Sequence, residues 1–159
     1  LDPLSSSSIL KNMHTLHIRI KQHSYNAGYL AEKFTAAGIR TIYPGLPAHP
    51  GHDLLKTMMN DQFGFGGMIA IDLETAEKAS AFMEDMEAND VGYLAVSLGY
   101  FKTLFSNSGK STSSEVPEDV QRKMGLSEGL VRYSVGLDND IERSWLKIEQ
   151  SLKKVGFIK

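Results

Sequence analysis

The sequence predicts an α+β fold in which a long N-terminal linker helix precedes a small, mainly antiparallel four-stranded sheet with helices packed on it. Apolar residues recur at steps of three, four or seven from Ile9 to Phe34, the spacing of one helix face. Short apolar and β-branched runs then alternate with amphipathic helical patterns. We therefore expect residues 1–38 to form the linker helix and residues 39–159 to form the small domain.

The first half of the chain carries clear start and stop signals. Asp2 and Pro3 are typical of an N-cap followed by the first helical position, and Gly38 is typical of the residue that ends a helix. Beyond it we predict strands and helices from the residue pattern: a strand at 39–43, a helix at 54–59 and a strand at 68–73.

The second half follows the same logic. The spacing predicts a helix whose inner face carries Ala76, Ala79, Met83 and Met86. After it we predict a strand at 91–96, a polar loop at 106–115, a short helix at 117–125 and a strand at 130–135. Residues 138–140 cap a closing helix, whose inner face carries Ile141, Trp145, Ile148 and Leu152.

Composition excludes several classes of protein. A length of 159 residues corresponds to about one domain, and a net charge of -2 gives no electrostatic case for nucleic-acid binding. Because cysteine is absent, the chain has no disulfide, thiolate metal site or cysteine nucleophile. With no apolar run near the ~20 residues of a membrane span and no evident signal peptide, we expect a cytoplasmic protein. The chain begins at Leu1 rather than Met, which suggests a longer parent.

Arg132 is the most informative single residue. It lies in the run Gly129-Leu130-Val131-Arg132-Tyr133-Ser134-Val135-Gly136-Leu137, a strand pattern in which an unpaired buried charge would be costly. An arginine in this setting usually has an anionic partner, and its planar guanidinium matches a carboxylate bidentately. The pattern alone favours a structural ion pair or an outward-facing residue over a ligand site.

Other candidate motifs are weaker. Ser97 ends a strand before Gly99 and is either a backbone cap or a site hydroxyl. Residues 106–112 look like the end of a phosphate loop, but Leu104 stands where that motif needs glycine. His49 and His52 flank Pro-Gly, which favours a solvated turn, so we expect no metal site.

Four runs in order resemble the C-terminal part of the pyridoxal-phosphate (PLP) enzymes of cysteine and methionine metabolism, a family that includes methionine gamma-lyase and the cystathionine lyases and synthases. The runs are Tyr43-Pro44-Gly45-Leu46-Pro47 with His49-Pro50 and His52, Gly64-Phe65-Gly66-Gly67-Met68, Ser97-Leu98-Gly99, and Gly129 through Leu137. The resemblance implies the small domain of the aspartate aminotransferase-like fold.

The resemblance also implies roles for four residues. Arg132 looks like the arginine that binds the substrate α-carboxylate, and Ser97 like the serine that helps to position that carboxylate and the PLP-bearing lysine. Val96 occupies a place where an apolar side chain suits a thioether substrate, and Thr112 falls near a threonine of the active-site loop. No catalytic or PLP-binding residue is assigned here, because the Schiff-base lysine belongs to a large domain absent from this sequence.

For the full-length parent, the resemblance implies a homotetrameric PLP-dependent carbon–sulfur lyase. Its expected reaction is γ-elimination of L-methionine to a thiol, 2-oxobutanoate and ammonia, while this chain alone is expected to be inactive and to bind no PLP. The alternatives are a cystathionine gamma-lyase, cystathionine gamma-synthase or O-acetylhomoserine sulfhydrylase activity, and a non-catalytic standalone interaction domain.

Overall fold

A computed structural model describes residues 2–107, 116–123 and 125–158 of the chain. This described part contains six helices and one five-stranded sheet, which confirms the α+β class. The helices are α1 (Pro3–Met13), α2 (Leu16–Ala36), α3 (His52–Met58), α4 (Ala76–Ala88), α5 (Glu118–Lys123) and α6 (Ile141–Lys154). The strands are β1 (Arg40–Ile42), β2 (Met68–Asp72), β3 (Gly92–Leu94), β4 (Thr103–Asn107) and β5 (Leu130–Ser134).

The sheet is mixed, with strand order β1-β2-β5-β4-β3. Three of its pairings are antiparallel, and β3 pairs with β4 in parallel. The last strand in sequence, β5, therefore lies in the middle of the sheet and is hydrogen-bonded on both sides. The register places Arg132 opposite Ala70 on one side and opposite Ser106 on the other.

The core lies between the sheet and one layer of helices. Along β5, side chains alternate between the two faces, so Val131 and Tyr133 point into this core and are fully buried. Phe34 of α2 meets Tyr133 edge-on, with ring centroids 5.7 Å apart, and the Tyr133 hydroxyl donates to the sulfur of Met86 in α4 at 2.7 Å. Trp145 of α6 also meets Phe34 edge-on. Helices α2, α4 and α6 thus cover the same face.

The prediction of one long N-terminal helix is wrong. The helical pattern breaks at His14 and Thr15, where α1 ends and α2 begins. The Arg19 guanidinium donates to the carbonyl of Asn12 at 2.7 Å and so satisfies an acceptor that the break leaves free. The apolar spacing continues across the break, which is why the pattern did not reveal it. A domain boundary after residue 38 stays a prediction.

The predicted number of four strands is also wrong, because the residue pattern predicts a loop at residues 106 and 107, which form the end of β4. Ser106 and Asn107 are polar, but both are buried beside β5. The strand predicted at 91–96 is shorter than expected, since β3 covers only Gly92–Leu94. The polar composition of residues 106 and 107 therefore hid a strand that tertiary pairing stabilises.

The predicted helix ends are confirmed where capping residues define them. Asp2 accepts hydrogen bonds from the backbone of Leu4 and Ser5, and Asp140 accepts one from Arg143 N at 3.1 Å. Gly38 follows α2 with a φ of 80°, a left-handed conformation that glycine adopts without strain. Among the described residues, no helix has the combined length and apolarity that crossing a bilayer requires.

Candidate functional site

Arg132 lies at the centre of the sheet face that the helices leave uncovered. Since Val131 and Tyr133 point into the core, Arg132 and Ser134 point to the opposite face. The guanidinium side chain is half-buried, and its cross-strand neighbours Ala70 and Ser106 are both small. Neither neighbour has a charged side chain, so Arg132 is the one charged residue of these three paired positions.

No structural ion pair holds Arg132 within the described residues. Its side chain has neither a salt bridge nor a hydrogen bond to any of them. Asp72 is the carboxylate on the same face of β2, but it is bound to Arg40, whose Nη1 donates to Asp72 Oδ2 at 3.1 Å. The alternative of a structural ion pair therefore has no support here, whereas an outward-facing arginine that meets an external anion fits the geometry.

The Ser97 run is tied to the same face. The backbone N–H of Gly99 donates to the Ser134 hydroxyl at 3.1 Å, and Ser134 is two residues along β5 from Arg132. This contact brings residues 97–99 over the uncovered face. Ser97 and Val96 are exposed, Val96 at 59%. Both side chains are therefore available to a ligand or to another part of the protein.

Of the four candidate residues, three are described. Arg132 lies on the central strand, and Ser97 and Val96 lie in the segment that reaches this strand through the Gly99–Ser134 hydrogen bond. Thr112 lies outside the described residues.

The motifs that carry the family resemblance are linked to one another by hydrogen bonds. The Tyr43 hydroxyl donates to the carbonyl of Gly66 at 3.0 Å, Val135 N donates to the carbonyl of Gly67 at 2.8 Å, and Gly99 binds Ser134. These hydrogen bonds therefore connect the four runs, which are separated in sequence, to one another and to β5. Burial raises the pKa of Tyr43 to about 12, so its hydroxyl remains a donor at neutral pH.

His49 and His52 both form hydrogen bonds with nearby residues, and His52 also makes a ring contact. His52 Nδ1 contacts the carbonyl of Pro44 at 2.8 Å, and its ring stacks on Phe65 with centroids 4.8 Å apart. His49 Nδ1 accepts from Gly51 N at 3.0 Å. Over the described ranges, no group of three or more His, Asp or Glu side chains is placed to hold a metal ion.

The uncovered face does not fit PLP by itself. A PLP enzyme holds the cofactor through a lysine amine, and the strand positions around Arg132 on this face carry Ala70, Ser106, Leu130 and Ser134. The nearby Lys102 is bound to Asp90, and this hydrogen bond raises the pKa of Lys102. A nucleophilic amine needs the opposite shift. Nothing in the described part of this face therefore replaces a Schiff-base lysine.

Sequence reasoning missed Ser106. Ser106 is 5% exposed, and its Oγ is buried with no hydrogen-bond partner among the described residues. It lies directly across from Arg132. The preceding Thr103-Leu104-Phe105 run favours a strand, and extending that strand by one residue would have placed Ser106 at this site.

A surface depression elsewhere is unrelated to this face. Its volume is 610 Å³, and it lies between α2 and the turn at 62–65, where Tyr25, Tyr29 and Phe63 form part of its wall. Neither Arg132 nor its cross-strand neighbours line it. The candidate carboxylate site at Arg132 is therefore separate from this depression.

Comparison with known proteins agrees with the motifs. The chain is 43% identical over 141 residues to methionine gamma-lyase of Arabidopsis thaliana, covering 88% of this chain and 32% of that protein. It is 33% identical over 156 residues to cystathionine beta-lyase of Lactococcus lactis, covering 97% of this chain and 39% of the relative. The chain thus spans about a third to two fifths of these relatives' length.

Solved structures show the same fold. Cystathionine gamma-lyase from Lactobacillus plantarum, complexed with L-serine, superposes with a TM-score of 0.84 at 26% identity, covering 98% of this chain and 40% of that chain. Cystathionine gamma synthase from Xanthomonas oryzae gives 0.79 at 29% identity, covering 92% and 37%. The family model described as "Cys/Met metabolism PLP-dependent enzyme" matches residues 1–152. With the motifs, the fold and the relatives in agreement, the chain belongs to the PLP-dependent enzymes of cysteine and methionine metabolism.

Proposed function

We propose that this chain is the substrate-carboxylate-binding part of a PLP-dependent carbon–sulfur lyase that acts on L-methionine. The observation that carries the proposal is Arg132, a half-buried cation on the uncovered sheet face without a partner among the described residues. A substrate α-carboxylate would supply the missing anion. In the parent, γ-elimination would give a thiol, 2-oxobutanoate and ammonia.

The geometry suits bidentate binding of a carboxylate. A guanidinium presents parallel N–H donors that match the two oxygens of a carboxylate, and the pair fixes orientation as well as position. Arg132 extends from the central strand, which is held on both sides by backbone pairing. A rigid base of this kind keeps the amino-acid head group in register, which is how positioning residues lower a reaction barrier.

Ser97 and Val96 complete the proposed substrate surface. Ser97 would contribute a hydroxyl toward the carboxylate, since the Gly99–Ser134 hydrogen bond holds its segment beside β5. Val96 would present an apolar surface to the thioether side chain, which favours methionine over a substrate with a second charged head group. Thr112 is proposed as a further contact because of its place in the family pattern.

The large domain and PLP itself complete the proposed enzyme. PLP supplies an electron sink for the elimination, and it would be held by the large domain of the same polypeptide in a homo-oligomer. The residues of this chain bind and orient the substrate. We therefore propose that the chain is inactive by itself.

A lyase that acts on cystathionine is the second candidate, because cystathionine beta-lyase is 33% identical over nearly the whole chain. The exposed valine at position 96 is the feature that favours methionine. Steady-state assays of the full-length parent with methionine and with cystathionine distinguish the two: a higher kcat/KM for cystathionine would overturn the methionine assignment and leave the role of Arg132 intact.

Arg132→Lys in the full-length parent tests the carboxylate clamp. Lysine keeps the charge but loses the paired donors, so we expect KM for methionine to rise about 10- to 100-fold, the equivalent of one charge-assisted hydrogen bond. The matched control is Arg40→Lys, an arginine on the same sheet face that is bound to Asp72; its KM should not change. An Arg132→Lys enzyme with the KM of the unsubstituted enzyme would contradict the proposed role.

A further inference from the structure

We infer that Ser106 is a positioning residue for Arg132, and that its hydroxyl finds its partner when a carboxylate is bound. The inference rests on the proposed carboxylate site and extends it to a residue on a different strand. The inference starts from the hydroxyl of Ser106. Among the buried side-chain oxygen and nitrogen atoms of the described residues, Ser106 Oγ is the one without a hydrogen-bond partner.

An unpartnered buried hydroxyl needs an explanation. Folded proteins satisfy nearly all buried polar groups, and the exceptions concentrate where a ligand or a catalytic group completes the bonding. Other buried hydroxyls in this chain follow the rule: Ser151 donates to Asp85 at 2.7 Å, Ser134 accepts from Gly99 N, and Thr103 accepts from Gly136 N at 2.9 Å. Ser106 is the exception, and it lies at the proposed site.

The register brings Ser106 within reach of Arg132. The two residues are direct cross-strand partners of antiparallel strands, so their Cβ atoms are about 4.5–5.5 Å apart on the same face. A serine hydroxyl can accept a hydrogen bond from a guanidinium N–H while donating its own proton to a carboxylate oxygen. On the opposite side of Arg132, Ala70 has no polar atom in its side chain. Ser106 is therefore the cross-strand neighbour able to fix the guanidinium.

The substitution Ser106→Ala in the full-length parent tests this role. We expect KM for methionine to rise about three- to tenfold, as for loss of one ordinary hydrogen bond, with a smaller change in kcat. Thermal stability should stay the same or rise, because alanine removes a buried group that the unliganded protein leaves unbonded. Ser106→Thr, which keeps a hydroxyl, should restore part of the lost affinity.

Ser151→Ala is the matched control, since it removes a buried hydroxyl whose hydrogen bond is already made, and it lies in α6 on the other face of the sheet. It should lower the melting temperature and leave KM unchanged. A rise in KM together with unchanged stability for Ser106→Ala is therefore not the signature of a structural serine.

The double variant decides whether Ser106 acts through Arg132. In the Arg132→Lys background, Ser106→Ala should have little further effect on KM. Two outcomes would refute the positioning role while leaving the carboxylate clamp intact, provided that Arg132→Lys raises KM. In the first, Ser106→Ala leaves KM unchanged. In the second, Ser106→Ala raises KM by the same factor in the unsubstituted enzyme and in the Arg132→Lys enzyme. If Arg132→Lys itself has no effect, the proposed function fails first.

Discussion

Two arginines on one sheet face show how neighbours determine the function of a residue. Arg40, on the outer strand β1, is bound to Asp72 and is 58% exposed at its side chain. Arg132, on the central strand, lies between Ala70 and Ser106 and has no carboxylate bound to it among the described residues. Only the second arginine can neutralise an incoming anion without first breaking an ion pair.

Asp72 should make the stability of the fold depend on pH. Desolvation raises the pKa of its carboxyl group, but hydrogen bonds from Ser127, from Glu74 N at 2.9 Å and from Arg40 outweigh that effect and hold the pKa below 3.8. Because the pKa of Asp72 is lower in the folded chain than in the unfolded chain, its ionised form stabilises the fold at pH values above the unfolded-state pKa. This stabilisation is lost as pH falls through the pKa of Asp72 in the folded chain.

We expect Asp72→Asn to lower the free energy of unfolding by about 1–2 kcal/mol at neutral pH, the range for hydrogen bonds to a partly solvated charge. The difference between the two proteins should shrink as pH falls below about 4, where Asp72 begins to be protonated in the unfolded chain. Urea denaturation at several pH values measures it. A difference that stays constant down to the most acidic folded state would contradict the charge-based explanation.

At the scale of elements, α2 anchors the helical layer to the sheet. Its residue Phe34 is fully buried and meets both Tyr133 of β5 and Trp145 of α6 edge-on. By contrast, the described residues of α1 include no buried side chain. The two N-terminal helices therefore differ in what holds them: α2 is part of the core, while α1 continues away from it.

Phe34→Ala should reduce the free energy of unfolding by about 3–5 kcal/mol, because it removes a buried ring and leaves a cavity. Phe34→Leu, which fills more of the space, should lose less. The control is Leu10→Ala in α1, where the side chain is 60% exposed and the change should stay within about 0.5 kcal/mol. Urea denaturation compares the three. Equal losses for Phe34→Ala and Leu10→Ala would show that α2 does not anchor the core.

Apolar spacing in the sequence predicts some helices and strands of this fold and misses others. Apolar spacing predicted α2, α4 and α6 with their inner faces, because helix packing on a sheet preserves the helical period. The break at His14 and Thr15 escaped prediction, since a change in backbone conformation need not interrupt that period. Strand β4 escaped because pairing with β5 outweighs the polar character of Ser106 and Asn107.

The site was predictable only in part. Arg132 stands out from sequence because a charge inside an apolar strand is costly without a partner. Whether Arg132 has an anionic partner within the chain depends on the residues beside it. Those residues are Ala70 and Ser106, and they are known only from the pairing of β5 with β2 and β4. The contact that joins the Ser97 run to this face, Gly99 to Ser134, links residues 35 positions apart and leaves no trace in local spacing.

At the scale of the whole molecule, the sheet has two unlike faces. One is covered by α2, α4 and α6, while the other carries Arg132 and is crossed by the segment that contains Ser97. Exposed apolar side chains accompany this segment, among them Val96, Leu98, Tyr100 and Phe101. An exposed apolar segment beside the proposed carboxylate site is what the proposed PLP-binding domain would cover.

We predict that the 159-residue chain expressed alone does not take up PLP. Adding PLP should produce no stable, methionine-responsive visible absorption band of the lysine-bound cofactor, because the described residues of the uncovered face offer no suitable amine. The full-length parent should show that band under the same conditions. Circular dichroism confirms beforehand that the isolated chain is folded. A methionine-responsive band in the isolated chain would overturn the proposed division of labour between the two domains.

The central position of β5 has a consequence for laboratory evolution of substrate preference. A strand paired on both sides tolerates few substitutions without disturbing two neighbours at once, whereas residues 96–101 cross the sheet through few backbone bonds. Libraries randomised over that crossing segment with Ser97 kept unchanged should yield altered side-chain preference while retaining amino-acid recognition. Libraries randomised over the middle strand should yield mostly unfolded or inactive clones.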